Sequence, residues 1–234
     1  LFKNQSDLYS RKKPKKKDID SFRDEGFVII DSFLKEKQLV DLRICLENTA
    51  ERERKAGEAY LYGKEGKNQR IYNLLAKDKC FRDLLDSVYL NAFMNSVFDR
   101  PTYHEKYGLS SMAAHVIPPG GEAMPLHIDS AVPDPIPNWM IRVIAVITLS
   151  DFNKNTGGTF VVPRSHKLLR RPKSKEDHDS EGIYLDAKAG SLVIWDGLIW
   201  HKSTQNSSNA NRLGIIISYA ASFFKEKFWL WALS

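Results

Sequence analysis

The sequence predicts a mainly β fold, an all-β sandwich or jelly roll behind an N-terminal helical layer, and three observations carry that expectation. Up to Phe98 the longer apolar patterns recur at three-to-four spacing. From Leu109 onward, short β-rich segments alternate with Pro and Gly clusters. A chain of 234 residues that is 42% hydrophobic is long enough for one domain with a substantial core.

Residues 1–17 are polar and basic, with the run Arg11-Lys12-Lys13-Pro14-Lys15-Lys16-Lys17, and read as a flexible arm ahead of a single domain at 18–234. Much of the formal charge of +6 sits in that arm, so the charge does not imply a nucleic-acid surface. Ile19–Glu25 reads as a short helix stopped at Gly26, and Phe27–Ile30 as a strand. After Asp31 or Ser32 comes an amphipathic helix whose inner face carries Leu39, Leu42, Cys45 or Leu46, and Thr49. Gly57–Gln69 looks like a surface excursion, Arg70–Leu75 is strand-like, and Phe81–Phe98 is a helix broken at Asp99-Arg100-Pro101. Strands are expected at 109–117, 124–128, 140–149, 159–162, 191–195 and 213–221.

Cys45 and Cys80 both lie in apolar helical patterns and are expected as buried, reduced thiols. No apolar run is long enough to span a bilayer and no signal-peptide pattern opens the sequence. A cytoplasmic location without membrane contact is the expectation, and a targeting segment ahead of Leu1 stays open. Asn206-Ser207-Ser208 matches a glycosylation triplet and is read as a chance match in a polar loop.

The chemistry concentrates at Pro125-Leu126-His127-Ile128-Asp129, at Trp200-His201-Lys202-Ser203 and at Asn211-Arg212-Leu213-Gly214. In a strand, His127 and Asp129 face the same side, so an imidazole and a carboxylate can meet one ion. His201 follows the apolar run Ser191–Trp195 and a turn at Asp196-Gly197, and is the third candidate ligand. Two His and one carboxylate on one face of an octahedral ion is the arrangement of non-haem iron(II) oxygenases. The common zincin signal, two His one helical turn apart with a nearby Glu, is absent from the sequence. Arg212, Gly214, Ile216 and Ser218 share one face of the last strand. A guanidinium facing into a barrel needs an anionic partner, and a planar carboxylate fits its fork, with Gly214 leaving room.

With the helical opening, Arg70–Leu75, and Asn155-Thr156-Gly157-Gly158-Thr159-Phe160-Val161-Val162-Pro163-Arg164-Ser165-His166, these motifs resemble the phytanoyl-CoA dioxygenase family from about Ile19 to Phe224. The resemblance implies a double-stranded β-helix with flanking helices and an enzyme using iron(II), 2-oxoglutarate and O2. It implies His127, Asp129 and His201 as iron ligands, Arg212 as partner of the distal carboxylate of 2-oxoglutarate, and Ser203 as its helper. It also implies hydroxylation or another oxidation of a small-molecule substrate, with succinate and CO2 released; the carboxylate at 129 distinguishes the chain from halogenases. Arg164 replaces the Gly usual in this turn, which implies an unusual backbone there or a different turn.

His115 is a further candidate for the cofactor pocket, with a hydrogen-bonded core His as the bland alternative. Arg70, Asn73, Trp139 and Arg142 are candidates for substrate contact. Basic residues at the expected mouth, Arg70, Arg142, Arg164, Arg170 and Arg171, suit an anionic or carrier-linked substrate. His104, His166 and His178 are assigned to surface or turns, and 170–182 to a mobile loop or lid. The alternatives are a cupin-like metal-binding protein that has no need of Arg212, and a non-catalytic binding module on the same fold.

Overall fold

The computed structural model describes residues 13–98, 106–173 and 181–224. The expected arm up to residue 12, His104, His178 and most of the expected lid lie outside them.

The first helix begins earlier than its sequence pattern, at α1 (Lys16–Glu25), so the last residues assigned to the arm are helical. The carboxylate of Asp18 explains the early start: it accepts the backbone N–H of Lys15 at 3.2 Å and the Tyr89 hydroxyl at 3.3 Å. Gly26 ends the helix at φ 87°, where a Cβ would also strike the His166 ring. Then come β1 (Phe27–Ile30) and α2 (Glu36–Ala56), which buries Leu39, Leu42, Leu46, Thr49 and Ala50. The expected surface excursion is a hairpin, β2 (Tyr60–Tyr62) and β3 (Asn68–Ile71), and Leu74 and Leu75 belong to a short helix, α3 (Leu74–Lys77), not to the strand before it. The expected single helix at 81–98 is broken. It comprises α4 (Lys79–Arg82), a 3-10 turn at 83–86 and α5 (Val88–Val97), because Ser87 turns extended and its hydroxyl caps α5 by accepting the N–H of Leu90 at 3.3 Å.

The cysteines correct the sequence reading. Cys45 on α2 and Cys80 on α4 are joined as a disulfide, both partly buried, because the packing of these two helices brings the side chains together. The argument for reduced thiols therefore falls, and with it that support for a reducing compartment.

The β half follows as β4 (Tyr107–Ile117), β5 (Met124–His127), β6 (Arg142–Thr148), β7 (Thr159–Val162), β8 (Ile183–Tyr184), β9 (Leu192–Asp196), β10 (Trp200–Ser203) and β11 (Arg212–Ala221). β8 and β10 are additions to the sequence reading. Two antiparallel sheets result, one ordered β1-β9-β6-β11-β4-β3-β2 and the other β5-β10-β7-β8, the jelly-roll arrangement. Alternation along β11 sorts its residues as expected. Leu213, Ile215 and Ile217 enter the core against the helical layer, beside Phe22, Phe33 and Leu46, while Arg212, Gly214, Ile216 and Ser218 face the space between the sheets. Each fully buried Leu or Ile in that layer contributes about 1.5–3 kcal/mol of transfer free energy, which holds the larger sheet flat against the helices. The opposite face is left to line a cavity. No helix among the described residues is long and apolar enough to cross a membrane. Asn206 is fully buried and its amide donates to the carbonyls of Ile117 and Ala210, so the glycosylation triplet is structural.

Candidate active site

The cavity between the sheets has a volume of about 630 Å³, ample for a small ligand. On its smaller-sheet side, β10 pairs with β5 so that His201 stands opposite His127, their rings 4.3 Å apart. Asp129 is not on the strand: β5 ends at His127, and the carboxylate comes from a bend beyond it. The turn at Asp196-Gly197 holds that bend, since the N–H groups of Asp129 and Ser130 both donate to the Gly197 carbonyl at 2.9 Å. Only glycine fits there, because a Cβ would lie 2.5 Å from Ser130 Oγ and 2.8 Å from Arg142 Cβ.

His127 Nε2 lies 3.7 Å from Asp129 Oδ1, and His201 Nε2 lies 3.3 Å from Asp129 Oδ2. Atoms bound about 2.1 Å from one ion at right angles stand about 3 Å apart, so the set is close to the geometry a facial triad requires. The tautomers follow from the second nitrogens. His127 Nδ1 sits 2.8 Å from the Pro125 carbonyl and His201 Nδ1 3.1 Å from that of Ile199; a carbonyl only accepts, so each Nδ1 carries the proton and each Nε2 offers a lone pair. The Trp195 indole N–H donates to Asp129 Oδ2 at 3.0 Å and fixes the carboxylate. Burial alone would raise the Asp129 pKa, but the neighbouring imidazoles of His201 and His127 and the hydrogen bond from Trp195 hold it well below the usual carboxylate range. Burial lowers that of His201 and favours the neutral ring a metal needs. At His127, burial is outweighed by the neighbouring Asp129 carboxylate and by the Pro125 carbonyl, and the pKa is raised. Side-chain exposure is 8% at His201 but 32% at His127 and 26% at Asp129, leaving one side of the cluster open to the cavity.

On the larger-sheet side, Arg212 is 5% exposed, donates to the Gly157 carbonyl, and lies with its guanidinium 5.0 Å above the Phe152 ring. Its Nε is buried without a hydrogen-bond partner, and no described carboxylate forms an ion pair with it. Burial pushes its pKa down to about 10, so the guanidinium is a cation held at a cost and suited to an incoming carboxylate. The room expected beside Gly214 is taken by Phe152, whose ring edge a Cβ there would meet at 2.7 Å. Ser203 lines the cavity and its hydroxyl accepts the N–H of Met124 at 3.1 Å. His115 also lines it, between Arg70 and Gly214 in register; burial and the nearby Arg70 and Arg212 push its pKa well below the usual value.

Arg70 reaches the cavity, stacked 4.9 Å over Tyr72, as does Arg142. Asn73 does not: it is exposed, at φ 51°, where it begins α3 outside the cavity. Trp139 also falls outside the lining, because its ring packs on Phe223 with centroids 5.0 Å apart. Of the other basic residues, Arg164 pairs with Glu25 and Asp24, Arg170 stacks on Trp200 and Arg171 binds Asp134, so these do not line the cavity. Arg164 adopts the left-handed backbone at φ 65°, which answers the question raised by the missing Gly. Trp195, Phe152 and Gly197 are site residues the sequence reading missed. Trp195 sits in an ordinary apolar run, Phe152 is a lone aromatic in a polar turn, and Gly197 was seen only as a turn.

Residues 22–214 match the family described as Phytanoyl-CoA dioxygenase (PhyH). The chain belongs to the phytanoyl-CoA dioxygenase family. An uncharacterised protein of Mycobacterium tuberculosis, Rv1501, is 31% identical over 98 residues, which are 41% of this chain and 34% of that protein. Dioxygenase af480 of Aspergillus fumigatus is 26% identical over 155 residues, 65% of this chain and 48% of that one. The chain thus spans about a third to a half of the length of these curated relatives. HygX from Streptomyces hygroscopicus, solved with nickel, 2-oxoglutarate and hygromycin B bound, superposes with a TM-score of 0.73 at 17% identity, over 91% of this chain and 90% of that one, which shows a shared fold. The cofactors of the phytanoyl-CoA dioxygenase family are iron(II), 2-oxoglutarate and dioxygen. The donor set here, two neutral imidazole nitrogens and a carboxylate, suits such an ion, and the Nε of Arg212 suits such a diacid.

Proposed function

We propose that this protein is an iron(II)- and 2-oxoglutarate-dependent oxygenase that hydroxylates or otherwise oxidises a small molecule. The observation that carries the reading is the convergence, in one cavity, of the His127, Asp129 and His201 cluster and the buried Arg212 guanidinium with an unpartnered Nε. Iron(II), when bound, supplies the activation of dioxygen by which a substrate carbon is oxidised while 2-oxoglutarate becomes succinate and carbon dioxide.

The chain's own residues bind and orient. His127, Asp129 and His201 would hold the ion, oriented by the Pro125 and Ile199 carbonyls and the Trp195 indole. Arg212 takes the distal carboxylate, with Ser203 and His115 along the cavity wall. Apolar walls from Ile144, Val146, Phe152 and Ile216 keep water from the reacting centre. A cupin-like metal protein would have no use for Arg212, and its buried cation therefore speaks against that alternative.

Anaerobic titration with iron(II) and then 2-oxoglutarate tests the reading, with the weak visible charge-transfer band of the chelate as the signal. The band is expected in the parent protein, and is expected to be lost in His201→Ala and much weakened in Arg212→Gln. Iron binding without a band would end the oxygenase reading.

A further inference from the structure

The segment that carries the candidate metal ligands has two sides, and only one of them faces the cavity between the sheets. Alternation puts Val161 and His201 on the inner face of the smaller sheet and Phe160, Val162 and Trp200 on the outer one, where Leu126 and Ile128 pack on them. Against that outer face lies a second cavity, of about 540 Å³, walled by Leu126, Ile128, Val132 and Pro172. It meets the first at two residues, His127 and Ala131. The small side chain at 131 leaves the way between them open.

The groove is closed on its outer side. Arg171 pairs with Asp134 at 2.8 Å and donates to the Val132 carbonyl, which clasps the segment at 171–172 to the loop at 132–134. That pairing compensates the cation of the described lining, so the groove offers an apolar ligand no free charge. It offers a hydroxyl instead. Ser130 is 1% exposed, and its Oγ is buried without a hydrogen-bond partner, a costly state that a ligand oxygen relieves. Its backbone is fixed as well: the N–H groups of Asp129 and Ser130 both donate to the Gly197 carbonyl at 2.9 Å. A group held by Ser130 is therefore held at a set position relative to the metal ligands.

Resting on the oxygenase reading above, we propose that this groove is the outer part of the substrate site. The substrate is an elongated, uncharged, apolar molecule with an alcohol or ketone oxygen, which reaches from the metal cluster across Ala131 into the groove. Ser130 Oγ meets that oxygen, and Leu126, Ile128, Val132 and Pro172 meet the apolar body.

The test uses the protein loaded anaerobically with iron(II) and 2-oxoglutarate, whose visible band reports an intact metal site, and measures the affinity of unbranched 1-alkanols from butanol to decanol by calorimetry. Affinity is expected to rise about fourfold per methylene in the parent. In Ala131→Trp, where an indole blocks the way between the cavities, and in Pro172→Trp, where it fills the groove from the far wall, the rise should level off several carbons earlier. Ser130→Ala should bind octanol roughly fivefold more weakly. Affinity indifferent to chain length in the parent, the full rise in a Trp variant that forms the band, or unchanged octanol binding in Ser130→Ala would each overturn the proposal. If Ala131→Trp does not form the band, Pro172→Trp, away from the metal ligands in sequence, decides. Absence of the band in the parent brings down the oxygenase reading and this one with it, whereas a band with alkanol affinities that ignore chain length brings down this one alone.

Discussion

Replacing Arg212 by methionine should move stability and co-substrate affinity in opposite directions. Burial lowers the pKa of this guanidinium from 12.5 to about 10, and this cost of holding the charge is present at every pH below the folded value, hence in full at neutrality. It corresponds to about 3 kcal/mol. Methionine removes it but also removes the hydrogen bond to the Gly157 carbonyl, worth roughly 1–2 kcal/mol, and the contact with Phe152, worth roughly 0.5–1 kcal/mol. The balance predicts an apo variant as stable as the parent or more so by up to about 2 kcal/mol, a rise of at most about 8 °C in melting temperature. 2-Oxoglutarate loses its buried charge partner, at about 2–5 kcal/mol, so its dissociation constant should rise at least about thirtyfold. Thermal melts followed by circular dichroism without ligands, and anaerobic calorimetric titration with iron(II) and 2-oxoglutarate, measure the two arms. A variant that melts well below the parent and still binds 2-oxoglutarate normally would show that Arg212 is a structural residue, and the reasoning would fail.

Gly197→Ala pushes a methyl into Ser130 Oγ and Arg142, so a loss of about 1–3 kcal/mol in denaturant unfolding and a collapse of iron affinity are expected together; stability lost with iron binding intact would refute the role given to this turn. Trp195→Phe removes the indole N–H from Asp129 and should weaken iron binding roughly tenfold while leaving the fold intact, measured by competition with a chelator. Asp196 is buried, which raises its pKa from 3.8 to about 6, so the folded state is favoured below 3.8 and that advantage is lost as pH rises through 6. Asp196→Asn should therefore gain on the parent between pH 4 and 6 and stay ahead above it by on the order of 3 kcal/mol, as urea unfolding across that range will show. Arg164→Gly relieves a left-handed backbone at φ 65° and gives up only exposed ion pairs, so its urea midpoint should be unchanged or higher; a clear drop would mean those pairs matter more than the strain.

How much of this was legible in the sequence depends on how far apart the cooperating residues are. Alternation is local, so the two faces of β11 were readable, as were Phe27–Ile30 and the strand that becomes β7. The spacing of His127 and Asp129 pointed to a pair that the structure brings together, but for an incomplete reason. They meet because a turn 67 residues beyond Ser130 grips the bend between them, not because a strand continues through both. The break at Ser87 was missed because the apolar pattern runs across it, although serine three residues before Leu90 is a cap signal. The pairing of Cys45 with Cys80 depends on how α2 and α4 pack, which no spacing encodes. Asn73 was assigned to the cavity through the family resemblance of its segment and Trp139 through the loop that follows the metal motif, but Asn73 turns outward to begin α3 and the Trp139 ring packs on Phe223.

The division of labour between the two sheets follows from what each can tolerate. Among the described residues the helical layer packs on the larger sheet, and the candidate ligands on the smaller one keep an open side, which an exchanging ion and a gas both require. The larger sheet is braced by the helices, so it can hold a charged side chain in place on its other face even when it is not fully compensated, as the lowered pKa of Arg212 shows. A buried cation at Arg212, with its Nε unpartnered, leaves a charge imbalance at that end of the cavity. A dianionic co-substrate corrects that imbalance at Arg212, so 2-oxoglutarate should raise the melting temperature by more than its affinity for the metal alone would give, and the excess should vanish in Arg212→Met.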